Sequence, residues 1–173
     1  MSSKIIDNLV SSAKNGNAEA FGELYEIYAK DMFRFAYYYL GSVSSAEDCV
    51  SECVCIAFQK IPSLRKASSF KSWLFKILHN CCNNALREKI LTDGNVEFST
   101  LTDLSSGDGT NEETLSLRQA LAQLTDEERE IVILYYCHGY TSKEIGEILD
   151  MKDATVRSKI MRSGEKMRKF LGK

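Results

Sequence analysis

The chain has 173 residues, of which 44% are hydrophobic and 27% charged, and its formal net charge at pH 7 is −2. These averages are typical of soluble globular proteins, and no segment approaches the roughly 20 consecutive apolar residues of a membrane-spanning helix. A single proline and scarce alternation of β-branched residues argue against an all-β protein. We therefore expect the all-α fold class and a cytoplasmic protein without membrane insertion.

The charge alternates strongly along the chain. Residues 60–90 carry a net charge of +6 and residues 141–173 carry +4, whereas residues 91–113 contain six acidic and no basic side chains. Basic segments of this kind are typical of surfaces that bind phosphate groups. The alternative is that solvated faces of opposite sign segregate by chance.

The acidic segment also predicts a domain boundary. Residues 91–113 are rich in Ser, Thr, Asp, Asn and Gly and lack helical periodicity, which indicates a flexible acidic linker. We expect one small helical domain at 1–90 and a second at 114–173. The two should move independently in the free chain unless an inhibitor holds them together.

Apolar residues at intervals of three and four predict a bundle of about four helices in the first domain. Asn17 and Gly41 are expected to begin and end a long second helix. Ser45 is expected to cap the third helix, and Pro62 to end it.

The fourth predicted helix has a face of cations and amides, and small polar residues precede it. Such side chains can hold an unstacked base, because amides read its edge while cations follow the backbone. The helical spacing favours a place in the core for Trp73, and for Phe70 the core is the alternative. The candidate contacts to single-stranded DNA are Ser68, Ser69, Phe70, Lys76, Asn80 and Asn83.

Two capping-box sequences, Thr125 to Glu128 and Thr141 to Glu144, begin helices of the second domain, and Asp153 is expected to cap the last helix. Two helices joined by a short turn, the second with a basic outer face, predict a helix-turn-helix. Its arginines suit guanine in the major groove, although an ordinary solvated face is the alternative. The candidate base contacts are Arg157, Ser158, Met161 and Arg162.

The six cysteines are expected to be packing residues in a reducing compartment. Cys49 and Cys53 lie on the apolar side of the third predicted helix, and burial would make such thiols inert to oxidation. His79 close to Cys81 and Cys82 raises a metal alternative, but no C-x-x-C pair exists and the spacing matches no structural zinc pattern. We expect no metal and no cofactor.

Three segments together resemble the signature regions of the extracytoplasmic function (ECF) group of bacterial RNA polymerase sigma factors. They are 45–61 (SAEDCVSECVCIAFQKI), 68–80 (SSFKSWLFKILHN) and 140–171 (YTSKEIGEILDMKDATVRSKIMRSGEKMRKFL), in the order of that family. The resemblance implies a non-catalytic subunit that binds core RNA polymerase and directs it to promoter DNA. An anti-sigma factor is a further partner that it suggests.

The resemblance also implies roles for individual residues. Asp48 and Glu52 would contact the polymerase clamp, while the loop at 66–70 and Asn80 would read a flipped base of the minus-ten element. The outer face of the last helix would read the minus-thirty-five element.

The alternative function is a free-standing helix-turn-helix regulator whose first domain serves dimerisation or sensing. A net negative charge predicts weak non-specific DNA binding, which favours a protein that polymerase delivers to DNA. An enzyme is not expected, because neither His79 nor His138 has a nucleophile or carboxylate at a suggestive spacing.

Overall fold

The structure is a computed structural model that describes residues 3–93 and 112–172 and is helical in all its regular elements there. The first domain comprises α1 (Ser3–Lys14), α2 (Ala18–Leu40), α3 (Val43–Lys60) and α4 (Phe70–Asp93). The second comprises α5 (Glu112–Ala122), α6 (Asp126–Val132), α7 (Ser142–Leu149) and α8 (Asp153–Phe170). The all-α prediction is confirmed. Most of the predicted linker lies outside the described residues, although its two ends belong to α4 and α5.

The first domain has its core between α2, α3 and α4. Leu24, Met32 and Phe35 of α2 are fully buried with Phe75 and Leu78 of α4. Burial of each such side chain contributes roughly 1.5–3 kcal/mol to the stability of the folded state. Within the described residues no helix is long and apolar enough to span a membrane.

The predicted ends of α2 are confirmed. The side chain of Asn17 accepts a hydrogen bond from the backbone N–H of Ala20 at 3.1 Å. Gly41 adopts the left-handed conformation (φ 72°), and its N–H donates to the carbonyl of Tyr37 at 2.8 Å. A residue with a Cβ would be strained at this φ.

Two predicted caps are wrong. Ser42, and not Ser45, caps α3: its hydroxyl accepts from the N–H of Ser45 at 3.3 Å, because α3 begins directly after the turn at Gly41, three residues earlier than expected. Asp153 lies within the first turn of α8, where its carboxylate accepts a hydrogen bond from Ser142 and pairs with Arg157. It ties α8 to the start of α7 instead of capping α8.

Both predicted capping boxes form, at Thr125 with Glu128 and at Thr141 with Glu144. α6 continues into a π-helical turn, Ile133–Cys137, before the chain reverses. α7 and α8 pack together as the helix-turn-helix, with α6 behind α8.

The turn between α7 and α8 requires a close approach of the chain. A Cβ on Gly146 would lie 2.6 Å from the carbonyl oxygen of Met151. The turn also places Asp150 in the left-handed region, with φ 55°. A side chain at position 146 would therefore push the turn away from α7 and change the angle of α8.

Gly146→Ala should accordingly destabilise the protein by about 1–3 kcal/mol, as overpacking of a rigid backbone contact does. The free energy of unfolding from chemical denaturation is the measurement. Gly22→Ala is the matched control: it also lies in a helix, but nothing is within 4 Å of its added Cβ, so that change should stabilise by roughly 0.5–1 kcal/mol. Equal effects of the two changes would contradict the assigned packing.

The two domains lie against each other, chiefly through α4 and α7 and through α2 and the π-helical turn. This differs from the expectation of independent domains. Polar and aromatic side chains of both domains meet at this contact and hold the domains together.

Candidate nucleic-acid and polymerase interfaces

The predicted base contacts of the second domain share one surface. Arg157, Ser158, Met161 and Arg162 are all exposed, and Met161 is 64% exposed. We call these four side chains the α8 surface. An Asp153 oxygen lies 2.7 Å from the Arg157 guanidinium, and this exposed pair costs little to break.

Two other cations of α8 form ion pairs with acids of α6. The ammonium of Lys159 lies 2.5 Å from a carboxylate oxygen of Glu127, and that of Lys166 lies 2.7 Å from Glu128. Both acids belong to the first turn of α6. These pairs fix the direction in which the α8 surface points.

A cavity of about 380 Å³ opens in the loop between α3 and α4. Its lining combines two cations, two hydroxyls, one aliphatic side chain and an indole ring. The lining residues are Ser63, Leu64, Arg65, Lys66, Ser69 and Trp73. We call it the loop cavity. Of the predicted residues, Ser69 lines it and Ser68 is exposed beside it. Sequence reasoning missed Arg65 and favoured the core for Trp73, whose ring is in fact only partly buried.

Phe70 does not fulfil its predicted role as a DNA contact. It is 1% exposed, and its ring packs against those of Tyr28 and Trp73, with centroids 5.8 Å away in both cases. The core alternative is therefore the correct one for Phe70, which supports Trp73 from behind.

The basic face of α4 divides between solvent and the second domain. Asn80 is exposed. The ammonium of Lys76, by contrast, lies 2.7 and 2.8 Å from the two carboxylate oxygens of Asp150 in the helix-turn-helix. Asn83 is partly buried and hydrogen-bonded within the first domain, so the structure separates these two predicted DNA contacts from Asn80.

Asn83 belongs to a polar network that reaches the second domain. Its amide oxygen accepts from the hydroxyl of Tyr39 at 2.5 Å, and its amide nitrogen lies 3.0 Å from Nε2 of His79. The other ring nitrogen of His79, Nδ1, lies 2.6 Å from Oε1 of Glu130 in the second domain. We call these four residues the interdomain network. It occupies His79, for which sequence reasoning had considered a metal.

Arg118 makes a second polar contact between the domains. Its guanidinium donates to the hydroxyl of Tyr37 and to the carbonyl of Gly41, each at 2.8 Å. Arg118 is 4% exposed, and the carbonyl that it binds terminates α2. A cation at this position also interacts favourably with the helix dipole.

The apolar part of the interdomain contact surrounds His138. Its ring lies between those of Phe35 and Phe75, with centroids 6.2 and 5.5 Å away. Tyr140 packs on Phe75 from the same side. Burial lowers the pKa of His138 from 6.5 to about 4, despite the opposing effect of Asp31. The imidazole is therefore neutral at neutral pH.

This burial predicts an acid-sensitive stability. The unfolded chain protonates His138 near pH 6.5, while the folded chain resists protonation until about pH 4. The free energy of unfolding should therefore fall as pH decreases through this interval, by up to about 3 kcal/mol from this group. Denaturation curves at a series of pH values would measure it. His138→Leu should remove this part of the pH dependence; an unchanged profile would contradict the burial assigned to the ring.

Asp48 and Glu52 lie one turn apart on α3, and both are exposed. The buried side of the same helix carries Cys49 and Cys53. The two acids therefore form a small negative surface on the first domain, separate from the loop cavity.

Known proteins match both halves of the chain. Residues 24–90 match the Sigma-70 region 2 family, and residues 114–167 match the family described as Sigma-70, region 4. The ECF RNA polymerase sigma factor SigW of Bacillus subtilis is 29% identical over 181 residues, covering 96% of this chain and 97% of SigW.

Two solved structures show the same fold. CnrH, in complex with the cytosolic domain of CnrY, has a TM-score of 0.78 at 20% identity, with 97% of each chain covered. RpoE of Bartonella quintana, in complex with the anti-sigma factor NepR, has a TM-score of 0.77 at 22% identity, with 90% of this chain and 98% of that one covered.

Proposed function

We propose which residues carry each step of promoter recognition in this chain, which belongs to the ECF group of bacterial RNA polymerase sigma factors. The chain is an initiation factor that binds core RNA polymerase and directs it to promoters. We expect it to act in the cytoplasm, with the polymerase. The observation that carries the residue assignments is the exposure of one basic site on each domain: the loop cavity and the α8 surface. A free-standing regulator is not favoured, because both sigma regions match in order.

The second domain, 114–173, is proposed to read the minus-thirty-five element through the α8 surface. Arg157 and Arg162 would each donate two hydrogen bonds to a guanine in the major groove, with Ser158 and Met161 making smaller contacts between them. The ion pairs of α8 with α6 support this proposal, since they hold the helix in one orientation.

The first domain, 1–90, is proposed to open the minus-ten element and hold one flipped base in the loop cavity. Trp73 offers a stacking face, and Arg65 and Lys66 offer cations for the adjoining phosphates. Ser68, Ser69 and Asn80 remain the candidates for hydrogen bonds to the base edge.

Asp48 and Glu52 are proposed to bind the polymerase clamp. Their exposure leaves them available, and their charge suits a basic partner surface. Lys76 is proposed to reach minus-ten DNA only after the domains separate, because Asp150 of the second domain now engages it. Asn83 is proposed to reach DNA only after its hydrogen bonds with Tyr39 and His79 break. An anti-sigma factor that stabilises the contact between the domains would keep the chain inactive.

Reversing the charge of either clamp acid should weaken binding to core polymerase. We expect Asp48→Lys or Glu52→Lys to lower the affinity about tenfold or more, because attraction becomes repulsion at an exposed contact. A pull-down titrated with core polymerase measures this. Glu23→Lys makes the same charge change at an exposed position of α2 and should bind normally. Normal recovery of both α3 variants would refute the assignment.

Removing either arginine of the α8 surface should cost about 1–3 kcal/mol in promoter binding and relax specificity at one or two upstream base pairs. Affinities of the holoenzyme for a panel of upstream sequences would measure both effects for Arg157→Ala and Arg162→Ala. Lys169→Ala, exposed near the end of α8, should leave specificity unchanged. Arginine variants that lose affinity equally on every sequence would indicate phosphate contacts instead of base reading.

A further inference from the structure

Asp153 has a different partner on each oxygen of its carboxylate. One oxygen, Oδ1, accepts a hydrogen bond from the hydroxyl of Ser142, the first residue of α7. The other oxygen, Oδ2, lies 2.7 Å from Nη1 of Arg157, one turn further along α8. The carboxylate therefore connects the beginning of α7 to the guanidinium of a proposed base contact.

The second arginine of the α8 surface is held differently. Nε of Arg162 donates a hydrogen bond of 3.4 Å to the carbonyl of Ser158 in its own helix. Among the described residues, no carboxylate forms an ion pair with Arg162. Two arginines with the same chemistry thus differ in what orients their side chains.

We propose that Asp153 is a positioning residue, which orients the Arg157 guanidinium to read one base pair of the minus-thirty-five element. This inference rests on the proposed role of Arg157 and goes beyond it, since Asp153 acts without touching DNA. While Nη1 is directed to Asp153, the guanidinium still presents Nε and Nη2. The parallel N–H groups of these two nitrogens match O6 and N7 of guanine.

Orientation matters because a long surface side chain loses rotamer freedom when it is fixed against a base. The Arg157 side chain is 64% exposed, so packing restrains it little. A partner that selects one rotamer in advance reduces the loss on binding. It also favours the base whose acceptors match that rotamer over bases that require another.

The ion pair gains strength where it is used. In the free chain, water surrounds the pair of Asp153 with Arg157, and such an exposed pair contributes little to stability. DNA that covers the α8 surface excludes much of this water, and the attraction between two charges increases as the local dielectric constant falls. Asp153 should therefore affect DNA reading more than folding.

Other contacts already fix the position of α8. Val156 and Ile160 bury its inner face, and the pairs of Lys159 and Lys166 join it to α6. The Asp153 side chain is itself 39% exposed. Its removal should accordingly release one side chain, Arg157, and leave the helix in place.

The base preference of the holoenzyme, measured position by position, tests this role. Holoenzyme is bound to a DNA library that is randomised over the upstream element and fixed elsewhere, and the bound fraction is sequenced. Arg157→Ala and Arg162→Ala first identify the base pair that each arginine reads. Asp153→Asn should then reduce the preference at the Arg157 base pair about two- to tenfold, as loss of one hydrogen-bonded partner does, and leave the Arg162 base pair unchanged.

Matched variants separate orientation from charge. The amide oxygen of Asp153→Asn can still accept from Ser142, so the contact with α7 is kept. Asp153→Glu retains the charge at a helical spacing that suits an ion pair, and it should restore part of the preference. Glu147→Gln removes the same charge from an exposed position of α7 and should change no base preference.

A double variant tests whether Asp153 acts through Arg157. In the Arg157→Ala background, Asp153→Asn should have no further effect on the Arg157 base pair, because the side chain that it orients is absent. The same additional loss with and without Arg157 would contradict the proposal.

Two other results would overturn it. One is an equal loss of preference at the base pairs of both arginines, which would indicate a displaced α8. The other is an unchanged or increased preference in Asp153→Asn; an increase would mean that Asp153 draws Arg157 away from DNA. If Arg157→Ala itself changes no base preference, the proposed function fails. If Arg157→Ala changes it and Asp153→Asn does not, the positioning role alone fails.

Discussion

The burial of the Glu130 carboxylate is the constraint on which the arrangement of the two domains depends. Glu130 is 5% exposed, and a carboxylate removed from water without a donor costs several kcal/mol. His79 of the other domain lies against this carboxylate, with Nδ1 2.6 Å from Oε1, and Asn83 and Tyr39 orient the imidazole. This contact therefore favours one relative position of the two domains, because sliding one domain over the other would move the Glu130 carboxylate away from His79.

Structural features that depend only on residues close together in the chain could be predicted from the sequence. The capping boxes at Thr125 and Thr141 need only a hydroxyl and a carboxylate three residues apart, and both form. Helical periodicity likewise separated the outer face of α8 from its buried face. Ser42 was missed because Ser45 offers the same hydroxyl and has an acidic residue three positions on, which is typical of a capping box, whereas Ser42 has none.

Contacts between distant residues could not be predicted in the same way. Lys76 and Asn83 carry groups that suit phosphates and bases, but the same groups suit Asp150 and His79, and composition does not distinguish these partners. Trp73 shows the same difficulty, since its helical spacing fits a core residue while its ring lines the loop cavity. The sequence thus predicted a site in the region of the loop cavity, while the residues that line this cavity could be identified only from the fold.

The pairing of Lys76 with Asp150 has a consequence for how ions exchange when DNA binds. A lysine that leaves water for a phosphate normally displaces one condensed counterion, which steepens the salt dependence of binding by about one unit of slope. In the proposed role, Lys76 would instead exchange the Asp150 carboxylate for a phosphate, and the freed carboxylate would attract cations from solution. These cations would partly offset the ions released from the DNA, so an affinity measured on the free chain would respond to salt less steeply than its phosphate contacts imply.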